Sequence, residues 1–118
     1  MSDSGMDLWP AIVDELDACE KCVEDMAELG RNAAEAERAY RVAKHKRIAS
    51  ERAYRNTPVT IIDDVVKGYE DIARLALERD EARVLYDANR EAALLHKKRA
   101  DIYREQYARE WSQAGERL

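Results

Sequence analysis

A chain of 118 residues has room for one domain, and 38% charged residues with no Phe, four Gly and two Pro describe long helices rather than a sheet. A net charge of −5 argues against holding duplex DNA by bulk positive charge. No stretch approaches 18 uncharged residues, so no membrane span is expected, and the acidic opening lacks the pattern of a signal peptide; together these point to the cytoplasm, with Cys19 and Cys22 as reduced thiols.

The first helix is expected over about 8–55. Leu8, Ile12, Leu16, Cys19, Val23 and Met26 recur in steps of three and four, which is one face of a helix. The row continues in Ala33, Ala36, Tyr40 and Ala43 and ends near Ile48. Ser4 or Asp7 is the expected N-cap, and Pro10 is tolerated as a first-turn residue. Gly30 costs about 1 kcal/mol against Ala in a helix interior, and the charge changes sign there, so a kink or break is expected.

The run Asn56-Thr57-Pro58-Val59-Thr60 is the strongest stop in the chain. Pro58 pushes Thr57 out of the helical region, and Asn56 tolerates a left-handed cap. Thr60-Ile61-Ile62-Asp63 reads as a capping box opening a short helix over about 60–67, closed by Gly68. A third helix is expected over about 69–112. Its inner row is Ala82, Tyr86, Asn89, Ala93, His96, Ala100, Tyr103 and Tyr107, with Leu85, Ala88, Ala92, Leu95 and Ile102 beside it. Gly115 is read as the fraying end.

These elements predict an all-α fold, a long antiparallel helical hairpin of coiled-coil type with a short connecting helix at its tip. Two helices of 45 residues are each about 65 Å long at 1.5 Å per residue. A turn centred on 56–68 pairs residues whose numbers add to about 124, bringing Trp9 near Trp111 and Tyr54 near Tyr69. Charge supports the antiparallel sense. Residues 1–30 hold nine acids and one base, and they meet the basic 92–118 segment; residues 31–55 hold eight bases and three acids, and they meet the acidic 69–91 segment. A seam rich in alanine buries little area at about 25 cal/mol per Å², so self-association into a four-helix homo-oligomer is the expected remedy.

No enzyme signature is present. Cys19-Glu-Lys-Cys22 is a lone C-x-x-C without the strand-to-helix setting of a redox motif or two further metal ligands, and no cofactor is expected. The carboxylate pairs are adjacent in sequence and diverge by about 100° on a helix. Two surfaces remain. Asp14, Asp17, Glu20 and Glu24, with the aliphatic Ile61, Ile62, Val65 and Val66 of the short helix, form the candidate surface for a protein partner. Arg38, Arg41, Lys44, Lys46 and Arg47 form the alternative, a basic stripe for nucleic acid, and it is the less favoured of the two.

Thr57-Pro58-Val59-Thr60-Ile61-Ile62, Val66-Lys67-Gly68, Arg79-Asp80-Glu81-Ala82 with Tyr86, and Glu110-Trp111 carry a resemblance across roughly 56–111. This part of the chain resembles small helical accessory proteins from the early regions of phages and prophages of Gram-positive bacteria. The resemblance carries over no catalytic residue. It implies a non-catalytic role for a mobile element in the host cytoplasm: an anti-defence (anti-CRISPR-like) inhibitor binding a host or phage protein, or a nucleic-acid-binding accessory of replication and recombination. A structural coiled-coil scaffold is the third reading.

Overall fold

The computed structural model describes residues 5–116, with side chains from Asp7 to Gly115. Three helices appear in order: α1 (Gly5–Ser50), α2 (Val59–Lys67) and α3 (Glu70–Glu116). A single π-helical turn, Glu51–Arg55, extends α1 to the stop at Asn56. The chain is an all-α antiparallel helical hairpin with a short connecting helix, and among the described residues no strand occurs.

The start of α1 lies earlier than expected. Ser4 falls outside the described residues, and Asp7 sits within the first helical turn instead of capping it. Pro10 is accordingly inside the helix, where its missing N–H removes one bond to the preceding turn. Gly30 does not break α1, which is continuous from residue 5 to residue 50. It serves as a notch instead: a Cβ there would lie 3.2 Å from Cε1 of Tyr86. At the far end of the chain α3 runs through Gly115 to Glu116.

Asn56 takes the left-handed conformation expected of it, with φ 52° and ψ 33°. The expected capping box of α2 does not form. Pro58 occupies the N-cap position without a side-chain bond, and its carbonyl accepts from the N–H groups of Ile61 and Ile62 at 3.1 Å. Asp63 of that box is used elsewhere, and the neighbouring Thr57 is tied to the π turn that extends α1. The Thr57 hydroxyl donates to Glu51 Oε2 at 2.6 Å, and Asp63 holds Lys44 at 2.6 Å and Lys67 at 2.8 Å.

The chain forms two compact units, each containing part of both long helices. In the unit Glu28–Tyr86, α2 packs as a third helix: Ile62 and Val66 join Tyr40 and Ile72 in a buried cluster flanked by Ala43, Ile48, Tyr69, Leu75 and Ala76. In the unit made of Met1–Ala27 and Asp87–Leu118, the buried apolar residues are Leu8, Ile12, Ala93 and Ala100. Small buried residues such as Ala93 and Ala100 let two helices approach closely with modest buried area.

Pairing falls about eight residues, or two helical turns, short of the expected register. Trp9 packs on Tyr107 at 5.9 Å, Gly30 on Tyr86, and Arg47 on Asp71 at 3.2 Å. The cause lies in the connector. Because α2 folds back beside α1, with Lys44 reaching Asp63, it does not lengthen the turn, and α3 begins opposite residue 47. Trp111 consequently meets Tyr107 edge to face at 6.0 Å, and Tyr54 is 86% exposed instead of meeting Tyr69.

Candidate functional site

The first unit carries its polar chemistry inside the seam. His96 Nδ1 lies 2.6 Å from Glu15 Oε2, and since a carboxylate only accepts, the imidazole N–H donates. Arg99 approaches the other oxygen of Glu15 at 3.9 Å. Asn89 donates its amide to the carbonyl of Cys22 at 2.7 Å. These groups align α1 and α3, because a shift by one turn would leave each half-buried polar atom without its partner. Cys19 and Cys22 are free thiols, half-buried along this seam.

The buried row on α1 is displaced from the one read in the sequence. Leu8 and Ile12 belong to it, followed by Glu15, Cys19, Cys22 and Met26. Leu16 and Val23 do not; they are 37% and 58% exposed. With Trp9 at 57% and Val13 at 37% they form a second apolar row, one residue further on and so about 100° around the helix. Its members, Trp9, Val13, Leu16, Glu20 and Val23, follow one another in steps of four and three. That alternation was the available signal for these residues, and the inner row obscured it.

The four candidate acids lie on the same stretch. Asp14, Asp17, Glu20 and Glu24 are exposed, and among the described residues none has a cation within ion-pair distance. Glu20 interrupts the outer apolar row, while Asp17 and Glu24 border it. The aliphatic candidates divide by burial, in the other unit. Ile62 and Val66 are core residues, whereas Ile61 and Val65 remain partly exposed.

The basic stripe has different surroundings. Arg38 bonds Glu35 at 2.6 Å, Arg41 bonds Glu37 at 2.9 Å, Lys44 bonds Asp63, and Arg47 bonds Asp71 while lying 4.5 Å above the Tyr69 ring. The Arg38 guanidinium, chiefly by its hydrogen bonds, holds the Glu35 carboxyl below its ordinary value. Lys46 is exposed and, among the described residues, has no ion pair. Four of the five stripe cations are therefore already committed to carboxylates of the chain.

Sequence reasoning gave no role to Glu51, the one buried charged residue described, at 5% exposure. Its side chain accepts from the hydroxyls of Thr57 and Tyr69. Two hydroxyl donors satisfy a buried carboxylate without bringing in a second charge. The group ties the π turn of residues 51–55 to the first residues after the stop and to the start of α3.

Comparison of the chain with protein-family models, curated proteins and solved structures finds no match in any of the three. Among the described residues, no helix is long and apolar enough to cross a membrane.

Proposed function

We propose that the protein is a non-catalytic interaction module that captures another protein on the N-terminal half of α1. The observation that carries this reading is the outer face of that segment. Trp9, Val13, Leu16 and Val23 leave apolar area in solvent, beside carboxylates that have no ion pair among the described residues. Exposed apolar rows of this kind are interaction surfaces more often than accidents, and uncompensated charge steers an oppositely charged partner. The basic stripe is less suited to phosphate, since binding there must first displace four ion pairs. The resemblance of residues 56–111 to phage accessory proteins supports a mobile-element setting, with a host or phage protein as the target and anti-defence inhibition as the role.

The test is affinity capture from host extract with the full chain and two variants. Leu16→Asp removes the centre of the apolar row, and a fourfold charge reversal converts Asp14, Asp17, Glu20 and Glu24 to Lys. The reading expects the same captured species to disappear from both. Recovery of an identical set by all three proteins would overturn it.

A further inference from the structure

We infer that the outer row of α1 is a second coiled-coil seam, and that its occupant is a cationic amphipathic α-helix of another protein. This rests on the interaction-module reading and names the partner's chemistry. Trp9, Val13, Leu16, Glu20 and Val23 keep the four–three alternation of a heptad, as does the inner row Leu8, Ile12, Glu15, Cys19, Cys22 and Met26. The inner row is covered by α3; the outer row, although Trp9 touches Tyr107, keeps 37–58% of its apolar side chains in solvent. A helix with two adjacent heptad rows is built to sit between two helices. From residue 9 to residue 24 the open seam is about 22 Å long, a little over two heptads.

Charge selects the occupant. Glu20 stands within the row and Asp17 and Glu24 on its border, so an arriving helix must present Lys or Arg at the facing positions. Asp14 adds to the same field, and no cation of the described chain answers any of the four. A second copy offering its own α1 would set these acids against their equivalents. Nucleic acid and an anionic lipid surface are repelled by the same residues.

The probe is a synthetic three-heptad peptide with Leu at the core positions and Lys at the flanking ones. Its controls are the same residues in scrambled order and a version with Glu for Lys. Calorimetric titration into the full chain should give saturable one-to-one binding for the cationic heptad peptide alone. Leu16→Asp should weaken it about tenfold or more, on the scale of a central interface residue. The pair Glu20→Lys and Glu24→Lys should weaken it comparably and transfer preference to the acidic peptide. Circular dichroism of each variant must match the parent, so that loss of binding is not loss of fold. Equal binding of the scrambled peptide, or indifference to Leu16→Asp, overturns the inference. Self-association abolished by Leu16→Asp would assign the seam to a second copy and overturn it likewise. If extract capture depends on Leu16 while the peptide fails to bind, the helix chemistry is wrong and the module reading stands; if capture is also indifferent, both fall.

Discussion

Tyr86 fills the space that a side chain at residue 30 would need, its Cε1 lying 3.2 Å from the Cβ position of Gly30. Two effects compete on replacing that glycine. Alanine gains about 1 kcal/mol of helix propensity, and the ring must retreat by a few tenths of an ångström. Gly30→Ala in the parent should therefore gain less than in a Tyr86→Leu background, where the full gain appears. A bulkier Gly30→Leu should lose about 1–3 kcal/mol by overpacking. Thermal unfolding followed by circular dichroism measures all four. Equal gains in both backgrounds would show that the contact carries no strain.

Glu51 and its two hydroxyl donors should behave as one unit. Glu51→Ala removes the acceptor for both and should cost about 2–3 kcal/mol, with Tyr69→Phe alone costing about 1–2 kcal/mol. Replacing Glu51, Thr57 and Tyr69 together by Leu, Val and Phe should cost less than the single losses added, because no buried polar atom is left unpaired. Denaturant titration of the set decides. Strict additivity would contradict the network.

Lys44 and Lys67, mainly through hydrogen bonds, hold the Asp63 carboxyl below its ordinary value of 3.8. A carboxyl depressed in the folded state contributes stability above its unfolded value. That contribution is lost as the pH falls below 3.8 toward the lower folded value. Asp63→Asn should thus lower the melting temperature at pH 7, and the gap to the parent should narrow below about pH 4. Because the group is exposed, salt should narrow the gap as well. A gap constant with pH would show that Asp63 acts through packing alone.

Single-stranded DNA tests the committed state of the basic stripe. With Arg38, Arg41, Lys44 and Arg47 paired internally, a gel shift near physiological salt should show no retained complex. A tight complex lost on changing Lys44, Lys46 and Arg47 to Ala would reverse the ranking of the two surfaces.

The inner row of α3 was legible because its small and aromatic residues, from Ala82 to Tyr107, admit one periodic reading. The same logic failed on α1, where hydrophobicity favoured Leu16 and Val23 over Glu15 and Cys22. Glu15 is half-buried because His96 and Arg99 answer it from α3, and a partner so distant in the chain leaves no local trace. The turn at Pro58 was legible from its own residues. The register was not, since it depends on α2 folding back so that Lys44 meets Asp63. The exposed acids were legible as charge; that none has an ion pair among the described residues is a property of three-dimensional neighbours.

The one-residue offset between the two rows of α1 separates folding from recognition. Leu8, Ile12, Glu15 and Cys22 answer to α3, while Val13, Leu16, Glu20 and Val23 stay at least a third exposed. Substitutions in the outer row are thus less constrained by folding than those in the inner row, most of all at Glu20 and Val23. Mutation can walk that face from one target to another while the hairpin beneath it stays intact, and a designer can retarget the scaffold by rewriting four or five positions.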